Sequence, residues 1–547
     1  MADSGADHAR SDEPAGSQGS QAPQAPDDAT DRPFPAKGKR RARRAERREA
    51  KHQARAARTP TRRSRWWLLP EALVLLLVVG AGLAWHFRLG DKLGISSPDP
   101  LTEPAAVRPP AGLDLPRTAP ARAVAAGQDD GDASAARLKQ ALDPLLGDRR
   151  LGRVTVRVAD LSSGRVVYQR GDQPFTPAST TKLLTSTAAL QAIGPGKRFA
   201  TRVEQEPAAS GTPARLTLVG GGDPFLASGT PEAGTYPHYA DVGTLARRTA
   251  AALKQGGTTR VTLGYDDSLF TGPRVDPSWE SSYVPEGVVP PISALWVDEG
   301  RSPAGGYVDD PSARAATVFR QALGAAGITV SGDVRRQPAS QGATEVARVE
   351  SPPLGQIVSR LLLVSDNNAA EVVSHQVGLA EGTGGSFSGG AKAVIQVLGR
   401  LGVPTAGLRL LDGSGLSRGN LISPETMVGV LRTAASDDHP TLREVVTGLP
   451  VAGFTGSLTD RFDTGPAAGR GRVHAKTGTL TGVHGLAGIA TDLSGDVLAF
   501  VAIADRVPEA DQLFARQRID QVAAAIGACR CGTSATPSAS PSPSASG

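Results

Sequence analysis

Cysteine is nearly absent from this chain: 547 residues hold only two, Cys529 and Cys531, with one residue between them. A disulfide framework is therefore excluded as the source of the fold, and a bridge between such close neighbours is strained though not impossible. Histidine is scarce too, at eight residues, and no His-Glu-x-x-His pair or cysteine cluster occurs. Nothing has the spacing of a metal site, and no metal or cofactor is expected. The triple glycine of Gly220-Gly221-Gly222-Asp223-Pro224 lacks a following Gly-Lys-Ser/Thr and opens no helix, which leaves a tight turn rather than a phosphate loop.

What is there is globular material diluted by linkers: 39% hydrophobic and 21% charged residues, with 64 Gly and 42 Pro, in a chain long enough for about three domains. The net charge of +6 is unevenly spread, with most of the excess between Lys37 and Arg65. Immediately after that run, Trp66 to Phe87 is apolar except for Glu71 and His86, about the length that spans a bilayer. Trp66, Trp67 and Trp85 sit where interfacial aromatics belong, and the dense run of Arg and Lys lies on the N-terminal side only. The expectation is a disordered basic cytoplasmic tail over 1–65, a single transmembrane helix over 66–88, and everything after it outside the cell. A cleaved signal peptide is the alternative, and the long segment ahead of the helix favours an uncleaved anchor. The anchor accounts for the basic run, so nucleic acid is not expected as a partner.

Residues 89–132 are a Pro/Ala-rich stalk, and 529–547 a Ser/Pro-rich tail. Ala133 to Leu146 reads as an amphipathic helix, and Val154–Val158 and Arg165–Tyr168 as a hairpin. Strands are expected at Arg215–Val219, Val261–Leu263, Ile328–Val330, Leu408–Leu411, Val473–Thr479, Gly485–Thr491 and Val497–Ala504. Helices are expected at Thr244–Lys254, Pro311–Ala325, Asn368–Gln376 and Gln512–Ile526.

Three short motifs carry chemistry. Ser179-x-x-Lys182 opens an apolar helix that Gly194-Pro195 stops, and the i, i+3 spacing brings the amine to the hydroxyl. A neutral lysine is a workable base for a serine nucleophile. Alone, the pair is more often an N-cap. Ser365-x-Asn367 falls on a short break between two helices, and Lys476-Thr477-Gly478 opens a strand. In this order the three form a recognised serine-hydrolase signature.

The chain therefore resembles the penicillin-recognising serine hydrolases, and within them the D-Ala-D-Ala carboxypeptidase/endopeptidase family, the low-molecular-mass class C penicillin-binding proteins. The narrower likeness rests on the long insert between Lys182 and Ser365, Gly-Gly-Gly-Asp-Pro at 220–224, Ser365-Asp366-Asn367-Asn368-Ala369-Ala370-Glu371, and Asp412-Gly413-Ser414-Gly415-Leu416-Ser417-Arg418. It covers about 133–526. It implies an α/β catalytic domain, a five-stranded antiparallel sheet between helices, over 133–200 and 346–528, with smaller domains inserted over 201–345.

The resemblance implies that Ser179 attacks the carbonyl between two D-alanines while Lys182 takes its proton. The oxyanion would sit on the Ser179 and Thr479 backbone N–H groups. Ser365 would relay a proton to the leaving amine, supported by Lys182 and Lys476, and Asn367 would bond the substrate carbonyl and steady Lys182. Lys476 and Thr477 would hold the free carboxylate, and the strand at 476–480 would pair with the peptide, Gly478 allowing close approach. Arg418 has two readings, a contact to an acidic group of the stem peptide or a loop-anchoring salt bridge. Asp366 and Asp412 read as structural, His474 and His484 as bystanders. Peptidoglycan stem peptides are the expected substrate and β-lactams the covalent inhibitors. A β-lactamase and a catalytically idle sensor are the competing readings.

Overall fold

The run Val497–Asp505 is apolar at almost every position, the pattern of a strand covered on both faces. Leu498, Phe500, Ala502 and Ala504 enter one core; Ala499, Val501 and Ile503, pointing the other way, enter another. The computed structural model describes residues 135–207, 213–462 and 467–531, and places this strand at the centre of a five-stranded antiparallel sheet. Numbered along the chain, the strands are β1 (Arg153–Asp160), β2 (Val166–Arg170), β3 (Ala200–Gln205), β4 (Ala214–Val219), β5 (Arg260–Asp266) and β6 (Thr329–Val330). They continue as β7 (Arg335–Arg336), β8 (Thr344–Glu350), β9 (Val473–Leu480), β10 (Val483–Thr491) and β11 (Val497–Asp505). The main sheet runs β2-β1-β11-β10-β9, so β9 is an edge.

The α-helices are α1 (Ala135–Leu146), α2 (Thr181–Ala192), α3 (Val242–Gln255), α4 (Pro311–Ala325) and α5 (Leu354–Val364). Then come α6 (Asn367–Ala380), α7 (Phe387–Arg400), α8 (Pro424–Ala435), the single turn α9 (Glu444–Thr447) and α10 (Gln512–Ala528). One face of the main sheet packs on α1 and α10, the other on α2, α5, α6, α7 and α8. Every residue from Thr181 to Leu190 is buried, which an all-round Ala, Leu and Thr composition permits.

The insert forms a second, mixed sheet, β6-β5-β4-β3-β8 with β7 beside β5, packed on α3 and α4 around its own core. Its first and last strands, β3 and β8, pair with each other, so the chain enters and leaves at one place. Between β5 and α4 a long connection lays Trp279, Tyr283, Val289 and Trp296 against Val372, Phe387 and Leu416 of the catalytic part.

Two expectations change. Leu408–Leu411 is not a strand; only an isolated bridge joins Arg409 to Leu421. The tail does not begin at residue 529, because Cys529 and Cys531 are buried, joined by a disulfide across a Cα separation of 5.2 Å, and part of the core under α10. The cytoplasmic tail, the span at 66–88, the stalk at 89–132 and residues 532–547 lie outside the described residues. Among the described residues no helix is long and apolar enough to cross a membrane.

Candidate active site

Ser179 lies in a 3-10 turn, Ala178–Thr180, that leads into α2. Ala178 has φ +47°, a left-handed conformation that costs a non-glycine residue energy and that surrounding contacts must hold. Thr180 Oγ1 and Thr181 Oγ1 donate to the carbonyls of Pro177 (2.7 Å) and Ala178 (2.9 Å), pinning the turn. Gly415 approaches from the other side so closely that a Cβ there would meet the Ala178 carbonyl oxygen at 1.9 Å. The turn is walled in, while Ser179 itself stays half-buried and open to the cleft.

Lys182 is fully buried one turn on. Its Nζ donates to Ser179 Oγ (2.9 Å), Asn367 Oδ1 (2.7 Å) and the Ser414 carbonyl (2.7 Å). Two of these partners are pure acceptors. When Lys182 is neutral, the Ser179 hydroxyl is therefore the partner that can donate a proton into its lone pair. Burial lowers the Lys182 pKa from 10.5 to about 8, and the charges of Glu371, Asp412 and Asp366 keep it from falling further.

Ser365 caps α5 in a left-handed conformation (φ +62°), and Asp366 caps α6 by accepting from the Ala369 N–H at 3.0 Å. This break turns Ser365 and Asn367 toward the cleft, and Asn367 is already the first helical residue of α6. Asn367 also donates to the Val288 carbonyl of the insert (3.2 Å). Lys476, fully buried in β9, donates to Ser365 Oγ (2.7 Å) and to the Thr477 carbonyl (3.0 Å). Its pKa lies well below the usual lysine value because of burial, then the charges of Lys182 and Arg461. Lys182 thus links the first motif to the second through Asn367, and Lys476 links the third to the second through Ser365. Lys182 spends its bonds on Ser179, Asn367 and Ser414, and it is Lys476 that reaches Ser365.

Alternation along β9 decides what faces the cleft. The Ala475 N–H points away from β10, donating to the Pro450 carbonyl at 3.0 Å. By the same parity the N–H and C=O groups of Thr477 and Thr479 also point outward. Thr479 is exposed, and Thr477 Oγ1 lies 3.1 Å from Ser457 Oγ. Gly478 also lies close to the Ser179 turn. Its missing Cβ would meet the Pro177 carbonyl oxygen at 2.8 Å and Thr180 Cγ2 at 3.1 Å. The glycine lets the strand approach the Ser179 turn.

Arg418 is ion-paired with Glu280 and donates to the Thr481 carbonyl (2.8 Å), the loop-anchoring arrangement. His484 Nε2 lies 2.6 Å from Gln512 Oε1, away from the three motifs. Among the described residues no His/Cys/Asp/Glu group could hold a metal. Sequence reasoning gave no role to Glu371, Ser414, Val288 or Glu299. Glu371 accepts from the Gly413 and Ser414 N–H groups, and Glu299 accepts from Asn368 Nδ2 at 2.6 Å. The i, i+4 spacing of Asn367 and Glu371 was the one available signal for the first.

The D-Ala-D-Ala carboxypeptidase 3 (S13) family model matches residues 138–305 and 302–526. A carboxypeptidase of Mycobacterium tuberculosis is 34% identical over 445 residues, spanning 78% of this chain and 92% of its own. A D-alanyl-D-alanine carboxypeptidase of Actinomadura is 32% identical over 456 residues, 68% of this chain and 81% of its own. The crystal structure of penicillin-binding protein 4 from Haemophilus influenzae shares the fold, with a TM-score of 0.60, 21% identity, and coverage of 71% of this chain and 97% of its own. With a family match over 138–305 and 302–526 and carboxypeptidase relatives at 32–34% identity, the chain belongs to the D-Ala-D-Ala carboxypeptidase (S13) family of serine peptidases.

Proposed function

We propose that this serine DD-peptidase works through an acyl-enzyme on Ser179, with Lys182 as its base and Lys476 as the anchor for the free carboxylate of the stem peptide. The observation that carries this reading is the Lys182 cradle: one hydroxyl and two carbonyl acceptors around a buried amine. In acylation the Ser179 proton passes to Lys182, Oγ bonds to the penultimate D-alanine carbonyl, and the oxyanion rests on the Ser179 and Thr479 N–H groups. Collapse breaks the C–N bond and expels D-alanine, whose nitrogen takes by way of Ser365, held by Lys476, the proton that Lys182 had accepted, leaving Lys182 neutral again. Water then releases the peptide from Ser179. β-Lactams enter the same path and stop at the acyl-enzyme. The outward N–H and C=O groups of Thr477 and Thr479 on an edge strand suit pairing with an extended peptide. That geometry accepts a cross-linked peptide as well as a free pentapeptide, so endopeptidase activity belongs to the same proposal.

The reading also places the enzyme on the outer face of a cell membrane, single-pass and with a cytoplasmic N-terminus. The apolar run at 66–88 after a basic segment supports this, and so does the Cys529–Cys531 disulfide, a feature of oxidising compartments. Incubating purified protein with defined pentapeptide and cross-linked muropeptides, then weighing the products, tests the chemistry. Loss of one alanine that disappears in Ser179→Ala is the expected result; fast, complete turnover of penicillin with intact muropeptides would overturn it in favour of a β-lactamase. Protease treatment of intact cells, degrading the catalytic part and sparing the N-terminus, tests the placement.

A further inference from the structure

Glu371 is fully buried, yet no step above uses it. It sits four residues after Asn367 on α6, so both side chains leave the same face of that helix toward Lys182. Asn367 reaches the amine directly. Glu371 reaches the loop behind it: Oε1 accepts from the Ser414 N–H (2.7 Å) and Oε2 from the Gly413 N–H (3.0 Å). The Gly413–Ser414 peptide is held at its other end too, because Thr185 Oγ1 donates to the Gly413 carbonyl at 2.7 Å. The next peptide, Ser414–Gly415, has its N–H on Asp412 Oδ1 (3.0 Å) and its carbonyl on Lys182 Nζ (2.7 Å). Two consecutive peptide planes are therefore fixed at both ends, and the last atom of the chain of bonds is an acceptor for the base.

Carboxylates in such positions do two things. They orient the peptide, and their charge, passed through polarised N–H and C=O groups in a dry interior, strengthens the carbonyl as an acceptor. We infer that Glu371 is a positioning residue for Lys182: with Thr185 it clamps the peptide next to the one that presents the Ser414 carbonyl, and its negative charge faces the amine. The inference rests on Lys182 being the base proposed above. The charged groups facing Lys182 are Glu371 and Asp366 from α6 and its cap, Asp412 from the loop, and Lys476 from β9. Around Glu371 itself, burial and then the charge of Asp412 push the carboxyl pKa up, while the N–H groups of Ser414 and Gly413, one on each oxygen, favour the carboxylate.

The test is the rate of acylation by a reporter penicillin across pH 5–10 in full-length protein, normalised to folded protein. Glu371→Gln keeps the shape but removes the charge and sets an NH2 against a backbone N–H. It is expected to slow acylation about tenfold to a hundredfold. Removing a negative charge disfavours the ammonium form, so the acid limb is expected to move to lower pH. Thr185→Val loosens the clamp without touching charge, and should slow acylation several-fold with the limb unmoved. Wild-type rate and an unshifted limb in Glu371→Gln would overturn the inference. Should that variant fail to fold, Thr185→Val decides: wild-type acylation in it removes the clamp. Lys182→Ala separates this from failure of the parent reading, since wild-type acylation there would mean that Lys182 is not the base.

Discussion

Two lysines are fully buried in one cleft, and their surroundings differ. Lys182 is faced by three carboxylates, Glu371, Asp412 and Asp366; the charges that act on Lys476 are both positive, Lys182 and Arg461. An uncompensated buried ammonium is costly by several kcal/mol, so each lysine needs a reason to be charged. For Lys182 that reason is built into the protein, and its proton is poised to come and go. For Lys476 it has to arrive from outside, as an anion. On the reading proposed above, the difference separates a base from a carboxylate anchor, although both are the same residue type and both touch a serine.

The severest disruption is Ser179→Ala, which removes the hydroxyl that Lys182 touches and that the proposed acylation needs. Acylation by penicillin, read by intact mass, is expected to fall by on the order of 10⁴-fold or more, with the fold retained. Next comes Lys182→Ala, with acylation slowed by about 10³-fold and unfolding little changed, because alanine suits a helix. Lys476→Ala sharpens the contrast. It should weaken kcat/KM for a peptide ending in a free carboxylate by about 10²-fold and leave the corresponding terminal amide nearly unaffected. Equal losses on both would erase the distinction between base and anchor.

The pH profile is a gentler probe. Acylation requires neutral Lys182, whose pKa is lowered to about 8. The rate should therefore fall about tenfold per unit as pH drops below 8 and level off above it; a flat profile from pH 6 to 9 contradicts the base assignment. The smallest effect is expected from Gly478→Ala. A Cβ 2.8 Å from the Pro177 carbonyl pushes β9 off the nucleophile turn, costing about 1–3 kcal/mol of stability by thermal or urea unfolding.

The motifs were legible because the chemistry there uses side chains: hydroxyls, amines and an amide at fixed offsets. Elements with strong local signals were also clear. Helix α4 runs Pro311–Ala325 as expected, since Asp310 accepts from the Ser312 and Ala313 N–H groups and proline occupies its first position. Strands β3 and β8 went unread because their polar, half-exposed residues become strands only by pairing with each other. Helix α7 hid behind Gly389 and Gly390, which sequence reads as breakers. Tight contacts to the Gly384 carbonyl and to Ser374 leave no room there for a side chain. The Ser414 and Val288 carbonyls were invisible for a simpler reason: a main-chain acceptor has no residue type to give it away.

The pairing of β3 with β8 has a consequence for engineering. The chain crosses into the insert and back through neighbouring positions, where Phe199 and Ser351 exchange hydrogen bonds (Ser351 N–H to the Phe199 carbonyl, 2.9 Å; Phe199 N–H to Ser351 Oγ, 2.9 Å). A short splice there could replace the entire cassette without stretching the catalytic framework. The spliced enzyme would nonetheless have lost the Val288 carbonyl and the Glu299 carboxylate that hold Asn367 and Asn368. It would be a folded peptidase with a slack oxygen where its base needs a firm one.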